Sequence, residues 1–303
     1  LASWINSAEV AERPRLFLID GSSFVFRAFY AVPPSTNSSG LQTNAIFGFT
    51  NLLLKFLKRY RPEYVAVVLD AGRETFRTRL FPDYKANRAA PPADLLPQLP
   101  YIRRVLAGLN LPLLELPDYE ADDIIATLCE ILPRQDCSLV IVSSDKDLMQ
   151  LVTDGIRILD SATERWMGVA EVESKFGVGP EKVAQVMGLM GDPVDNIPGV
   201  KGIGEKTAIA LIRQFQTLED LFNDLDQVET LGFRGAARVR KILETGKEAA
   251  FLSRALATVK RDVPIAIGLE ELKFTGFNRP VLRSLFAEMQ FTNLITLLDN
   301  DRL

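Results

Sequence analysis

Three short apolar runs constrain this chain more than any other feature, because each of them meets an acid. Leu16-Phe17-Leu18-Ile19 runs into Asp20-Gly21, Tyr64-Val65-Ala66-Val67-Val68-Leu69 into Asp70, and Leu139-Val140-Ile141-Val142-Ser143-Ser144 into Asp145-Lys146-Asp147. Continuous apolar runs of this length suit strands buried on both faces of a parallel sheet. Helical patterns lie between them, near Ala45 to Tyr60 and Asp94 to Leu109, and further short runs at Leu113–Leu116 and Ile156–Leu159 read as strands. This alternation predicts a parallel α/β sheet with right-handed crossovers. Ligands of such sheets gather beyond the carboxyl ends of the strands, which is where Asp20, Asp70, Asp145 and Asp147 fall.

Glu120-Ala121-Asp122-Asp123 opens another helix, whose apolar stripe is Ile124, Ile125, Leu128, Ile131 and Leu132 and whose expected N-cap is Asp118. Two like charges about 4 Å apart repel by roughly 4 kcal/mol at an effective dielectric near 20. Acids crowded beside a core therefore need cations, or else they serve only to complement the helix dipole. On this stretch alone both readings stand; the acids at the strand ends favour the first.

Composition removes several classes of function. The 303 residues, 47% hydrophobic and 24% charged, are enough for two globular domains. No run of eighteen apolar residues exists to span a bilayer, and residues 1–14, with Glu9 and Glu12, form a polar extension without the basic, apolar pattern of a secretory signal. Cys129 and Cys137 are the only cysteines, too few for a disulfide framework or a zinc site, so the expected compartment is the reducing cytoplasm. There is no histidine, which excludes Ser-His and Cys-His nucleophile pairs and every histidine-ligated metal. Chemistry must run on carboxylates, lysines, tyrosines or bound metal.

Two later stretches point to a polyanionic partner. Residues 73–92 mix Arg73, Arg77, Arg79, Lys85 and Arg88 with Phe76, Phe81 and Tyr84, a composition that suits phosphate pairing and base stacking, or else a solvated crossover. From about Ala170 the pattern turns to helices with Gly-rich connections, which sets the expected domain boundary there. Gly191-Asp192-Pro193-Val194-Asp195-Asn196 adds acids, and Gly199-Val200-Lys201-Gly202-Ile203-Gly204 before a helix lets main-chain N–H groups approach a phosphate, with Lys201 and Lys206 adding charge. No strand precedes these glycines, so they are not a dinucleotide fingerprint. Arg234, Arg238, Arg240 and Lys241 form either a basic face or ordinary surface, and Phe251 to Leu303 reads as packing.

Taken together, Leu-Ile-Asp20-Gly, Val-Val-Leu-Asp70, Phe76-Arg77, Tyr84-Lys85-Ala-Asn-Arg88, Tyr119-Glu120-Ala-Asp122-Asp123, Ser144-Asp145-Lys-Asp147, Gly191-Asp192-Pro-Val-Asp195-Asn and Pro198-Gly-Val-Lys-Gly-Ile-Gly-Glu-Lys-Thr207 resemble the 5′ nucleases of the flap endonuclease family. The likeness is to the branch formed by the 5′→3′ exonuclease domains of bacterial DNA polymerase I, and it covers about residues 15 to 300. The resemblance implies a PIN-like parallel-sheet nuclease core at 15–170 with a helical arch at 73–92. It implies a mainly helical DNA-binding domain at 171–303, with a helix-hairpin-helix around 197–208. By resemblance, divalent metal would be held by Asp20, Asp70, Glu120, Asp122, Asp123, Asp145, Asp147, Asp192 and Asp195. Lys85 and Arg88 would be catalytic. DNA would be contacted by Arg77, Tyr84, Lys85, Arg88, Gly199, Val200, Lys201, Gly202, Ile203, Gly204, Lys206 and Thr207.

The implied cofactors are two or more Mg²⁺ or Mn²⁺ ions, with K⁺ at the hairpin. The implied partners are DNA with free 5′ ends, flaps, nicks and RNA primers, met by a monomer that is fused to or acts with a DNA polymerase and touches no membrane. The net charge of −4 fits once the nine candidate ligands are set aside, since the remainder is mildly basic. The implied activity is metal-dependent 5′→3′ exonuclease and 5′-flap endonuclease cleavage. The competing readings are a structure-specific DNA-binding protein without turnover and a PIN-type ribonuclease.

Overall fold

A computed structural model describes residues 14–132, 137–233 and 235–303. The extension at residues 1–13 and Arg234 of the expected basic face lie outside the described residues. In chain order the elements are β1 (Arg15–Asp20), α1 (Gly21–Ala31), α2 (Asn44–Tyr60), β2 (Tyr64–Val68), α3 (Phe76–Leu80), α4 (Leu99–Gly108), β3 (Leu113–Leu114), α5 (Ala121–Ile131) and β4 (Ser138–Val142). They continue with β5 (Ile156–Leu159), β6 (Trp166–Met167), α6 (Val169–Phe176), α7 (Val183–Met190), α8 (Glu205–Phe215), α9 (Leu218–Asn223), α10 (Ala236–Ala257), α11 (Arg279–Glu288) and α12 (Thr292–Asp299). The chain divides into two compact units, the described residues of Leu1–Ala71, Ala90–Ser143 and Asp262–Leu303 forming the first, and Gly72–Ala89 with Ser144–Arg261 the second.

The first unit is built on parallel strands in the order β3-β2-β1-β4. Leu16, Leu18, Ile19, Val65, Ala66, Val67, Val68 and Ile141 are all 0% exposed, which explains why these strands read as unbroken apolar runs rather than alternating ones. Full burial of one such aliphatic side chain stabilises by about 1.5–3 kcal/mol, so the register, with Asp20 opposite Val68 and Ile19 opposite Val142, is strongly fixed. The register puts Asp20 at the carboxyl edge and Asp70 two residues beyond the end of β2. The last part of the chain belongs to this unit as packing: the Phe274 N–H donates to the Glu63 carbonyl, the Asn278 N–H donates to the Gly108 carbonyl, and Leu282 of α11 is buried.

In the second unit β5 and β6 pair antiparallel, and α7 packs on α10 where Gly188 lies against the Ala250 carbonyl. The loop that leaves α7 is pinched shut by two glycines. Gly191 (φ +72°) and Gly199 (φ +61°) pack backbone to backbone; a Cβ on Gly191 would lie 2.5 Å from the Ile197 carbonyl oxygen, and one on Gly199 would strike the Gly191 nitrogen. No other residue type fits either place, both for the positive φ and for the closeness of the main chain. Asp192 and Asp195 ride on the loop so formed, which is closed by reciprocal hydrogen bonds between the main chains of Asp192 and Ile197. Among the described residues no helix is long and apolar enough to cross a membrane.

Candidate active site

In the first unit the acids are held by main-chain donors and serine hydroxyls. Asp20 ends β1 and is the N-cap of α1: its carboxylate accepts the Ser23 N–H at 3.1 Å, the Ser23 hydroxyl, and the Ser143 hydroxyl at 2.7 Å. It is only 4% exposed, and burial pushes its pKa up, aided by the charge of Asp70 and opposed by the hydrogen bonds from Ser23 and Ser143. Asp70, exposed beyond β2, accepts the Ala121 N–H at 2.8 Å with Oδ1, while its own N–H donates to Ser22 Oγ. Its carboxylate thus meets the positive end of α5.

That helix starts differently from expectation. The N-cap is Glu120, not Asp118, which sits at φ +80° outside the helix. Asp123, 0% exposed, accepts the Glu120 N–H at 3.1 Å with Oδ2, so this acid caps the helix as well as standing among the candidate ligands. Glu120 and Asp122 are half-buried in the same turn.

In the second unit Asp147, Asp192 and Asp195 come together. They are 8%, 2% and 4% exposed, and one carboxylate oxygen from each lies within 4.8 Å of the others. Asp147 opens a short 3-10 turn (Asp147–Leu151), and its N–H donates to Asp145 Oδ1 at 2.9 Å, which ties Asp145 to the group. At such separations each carboxylate pair repels by roughly 3–4 kcal/mol at an effective dielectric near 20. Cations offset this: Lys146 Nζ lies 2.9 Å from Asp192 Oδ2, Lys85 Nζ lies 3.6 Å from Asp195 Oδ2, and Arg88 pairs with Asp195 Oδ1.

Asp147 is treated differently. Its Oδ1 is buried and, among the described residues, has no hydrogen-bond partner. Burial raises its pKa well above the usual aspartate range, with the charges of Asp145, Asp195 and Asp192 adding to the rise and Lys146 opposing it. Burial alone would lower the Lys146 pKa, but its hydrogen bond to Asp192 and the charges of Asp192, Asp147 and Asp145 more than reverse that. Burial also acts to lower Arg88, and Asp195 likewise outweighs it.

The segment carrying Lys85 and Arg88 is docked on the Asp192–Asn196 loop by its main chain too. The Lys85 N–H donates to the Asp195 carbonyl at 2.9 Å, Asn87 Nδ2 to the Pro193 carbonyl at 2.7 Å, and Asn196 Nδ2 to the Asp83 carbonyl at 2.6 Å. Lys85 (φ +55°) and Asn196 (φ +54°) both hold left-handed backbone where these strands of chain meet.

Several residues expected to contact nucleic acid are engaged within the protein. Arg77 is 2% exposed, and its guanidinium donates from Nε to the Leu256 carbonyl and from Nη2 to the Thr258 carbonyl, both at 2.9 Å. It anchors α3 against the end of α10. Tyr84 is 4% exposed, with Lys85 Nζ 5.0 Å from its ring centroid. In the hairpin the Gly199 N–H donates to Ser253 Oγ, Val200 to the Leu189 carbonyl, Ile203 to the Val200 carbonyl and Thr207 to the Gly204 carbonyl. Those four donors are engaged internally, whereas Lys201, Gly202, Gly204 and Lys206 are exposed. Arg240, from the expected basic face, pairs with Asp226 and Glu244 at 2.8 Å.

Three residues that sequence reasoning passed over shape these groups. Ser23 and Ser143 orient Asp20, and Lys146 neutralises Asp192. The Asp-Lys-Asp triplet was the available signal for Lys146, but a lysine between acids reads equally as a solvated charge.

A parallel α/β unit with acids at its strand ends, and a second unit whose loop and 3-10 turn carry a buried carboxylate cluster, define a class that comparison with known proteins makes specific. Residues 15–177 match the family model of the 5′-3′ exonuclease N-terminal resolvase-like domain, and residues 178–280 match that of the 5′-3′ exonuclease C-terminal SAM fold. The chain belongs to the 5′-3′ exonuclease family.

Among its relatives, the 5′-3′ exonuclease of Aquifex aeolicus is 37% identical over 93% of this chain and 93% of its own. DNA polymerase I of Bacillus subtilis is 38% identical over 96% of this chain but 33% of its own, so the chain spans about a third of the polymerases it matches. The fold is that of the bacteriophage T5 D15 flap endonuclease, solved in complex with DNA and metal ions, at a TM-score of 0.64 and 22% identity over 94% of this chain and 98% of that one.

Proposed function

We propose that the chain is a divalent-metal-dependent phosphodiesterase that acts as a 5′→3′ exonuclease and 5′-flap endonuclease on DNA. The observation that carries this reading is Asp147 Oδ1, a buried carboxylate oxygen without a partner among the described residues, in a group whose other acids are Asp192 and Asp195. A buried acid left in that state is costly unless a cation completes it. The donors are all hard oxygens, which suits Mg²⁺ or Mn²⁺ and not a thiolate- or imidazole-seeking metal.

On this reading Asp70, Glu120 and Asp122 hold one ion in the first unit. Asp147 and Asp195, with Asp145 and Asp192 beside them, hold another in the second. Asp20 and Asp123, already engaged by serines and main chain, orient the first group from behind. When bound, such ions supply Lewis-acid polarisation of the phosphoryl group and a water acidic enough to attack near neutral pH, which answers the lack of histidine.

Lys85 and Arg88 turn from Asp195 to the phosphate and neutralise the charge that develops on it. Exposed Lys201, Gly202, Gly204 and Lys206 grip duplex backbone without reading its sequence, and a K⁺ ion at this hairpin belongs to the same reading. The substrates are free 5′ ends, flaps, nicks and RNA-primer ends, and the buried thiols of Cys129 and Cys137 suit a reducing cytoplasm.

A product map on one end-labelled 5′-flap DNA, with Mg²⁺ titrated from zero and single-stranded RNA run beside it, tests this. The expected result is Mg²⁺-dependent release of 5′-phosphorylated products from the flap. Tight flap binding without product at any divalent ion would leave a DNA-binding protein instead, and preference for the RNA would leave a ribonuclease.

A further inference from the structure

The three cations around the buried acids of the second unit are not equivalent. Lys85 and Arg88 extend from the 83–88 segment, are 24% and 44% exposed along their side chains, and both address Asp195. Lys146 stands between Asp145 and Asp147 in sequence. Its carbonyl accepts the Met149 N–H at 3.0 Å, and the next N–H, that of Asp147, is held by Asp145 Oδ1. This cation is therefore fastened at its own backbone to the turn that carries Asp145 and Asp147. Its partner is almost fully enclosed: the Asp192 side chain is 3% exposed, Oδ2 faces Lys146 Nζ at 2.9 Å, and Oδ1 accepts the Val194 N–H at 2.9 Å. Both oxygens of Asp192 are committed, while Asp147 Oδ1 beside them lacks a partner among the described residues.

We infer that Lys146 is a resident counter-cation that sets how tightly the Asp147–Asp192–Asp195 group holds a divalent ion, keeping that affinity low. An ion entering at Asp147 meets a fixed positive charge on the neighbouring carboxylate. It must either share Asp192 with the ammonium or displace it, and both weaken binding. Lys85 and Arg88 do not impose the same limit on Asp192, because both address Asp195 and, on the reading above, turn their side chains from it to the phosphate. The inference rests on the metal reading above and adds to it a positioning residue with a definite sign of effect: removing this cation strengthens metal binding.

The test is Mn²⁺ binding followed by electron paramagnetic resonance and by calorimetry on the full chain and on Lys146→Met, Lys146→Gln and Lys146→Arg, with Asp147→Asn marking which bound ion belongs to this group. The Met and Gln variants are expected to bind the Asp147-dependent Mn²⁺ at least tenfold more tightly, and Arg to stay within about threefold of wild type. The Mg²⁺ concentration for half-maximal flap cleavage should fall in step in the Met variant. A merely structural lysine would lower the melting temperature in chelator without raising affinity. Should one neutral variant fail to fold, the other carries the measurement. Asp147-dependent binding that is unchanged or weaker in the neutral variants overturns this inference alone. Absence of any Asp147-dependent Mn²⁺ in wild type overturns the metal reading and this inference with it.

Discussion

In the parallel-sheet unit, Asp20, Asp70 and Asp123 accept hydrogen bonds from the main-chain N–H groups of Ser23, Ala121 and Glu120. In the other unit, Asp192 and Asp195 face the side-chain cations Lys146, Lys85 and Arg88, and Asp147 Oδ1 has no partner among the described residues. Both units gather acids where like charges repel, yet they offset the repulsion by different means. Donors at a helix start are fixed by the fold and cannot leave, so the first group is oriented whether or not an ion is present. On the proposed function Lys85 and Arg88 exchange, so Asp195 changes partners when an ion or a phosphate arrives, while Lys146 stays with Asp192. On the proposed function, preorganised carboxylates and exchangeable ones are two ways to prepare a metal site, and the consequences of removing each differ in kind.

The largest effect on stability belongs to the backbone that shapes the exchangeable group. Gly191→Ala forces a Cβ towards the Ile197 carbonyl at positive φ, and a loss on the order of 3 kcal/mol is expected in chemical denaturation. A loss below about 1 kcal/mol would mean the loop carrying Asp192 and Asp195 is more pliant than its geometry says.

Next comes Asp20→Ala, which removes an N-cap and the 2.7 Å hydrogen bond from the buried Ser143 hydroxyl. About 2–3 kcal/mol of destabilisation is expected, equal in Mg²⁺ and in chelator. A marked dependence on Mg²⁺ would erase the distinction between the two groups.

Asp147→Asn should act in the opposite direction. The carboxyl of Asp147 has a folded pKa well above its ordinary 3.8, so in chelator the wild type is favoured below that value and loses stability as pH rises through the folded one. The variant escapes this loss and should be more stable by about 1–3 kcal/mol near neutral pH, with the gap closing towards acid. Melting temperatures in EDTA across that range measure it; a gap that stays constant or widens on acidification would contradict the assignment.

The smallest stability change is that of Arg88→Gln, at most about 1 kcal/mol, because the guanidinium side chain is 44% exposed. Its flap cleavage should nonetheless fall by about 10²-fold or more, since the same side chain is assigned to the phosphate. Equal losses in stability and activity would return Arg88 to a structural role.

Much of this was legible in the chain itself. Strands such as Leu16–Asp20 and Tyr64–Val68 announce themselves because burial on both faces leaves no polar residue to blur the pattern. Their terminal acids are visible for the same reason. The helix starts at Glu120, two residues beyond the cap that the sequence suggests, since Asp118 has the right chemistry for a cap but the wrong backbone, a left-handed φ that composition cannot reveal.

Arg77 and Tyr84 illustrate a second limit. A basic–aromatic stretch has the same composition whether it faces solvent or folds back, and what decides it is the presence of the Leu256 and Thr258 carbonyls, about 180 residues away, as acceptors for Arg77. Lys146 shows a third, because an ammonium between two acids is read as surface until the fold brings Asp192 against it. Sequence carries burial well and local chemistry well; it carries the partner supplied from elsewhere poorly.

The most direct test of the account is cleavage and binding of one labelled 5′-flap DNA by wild type and Asp145→Asn, side by side, with Mg²⁺ and with EDTA. The account predicts product only from wild type in Mg²⁺, with DNA affinity of the variant within a few-fold of wild type. Product from Asp145→Asn, or from wild type in EDTA, would contradict the claim that these carboxylates hold the ions on which hydrolysis depends.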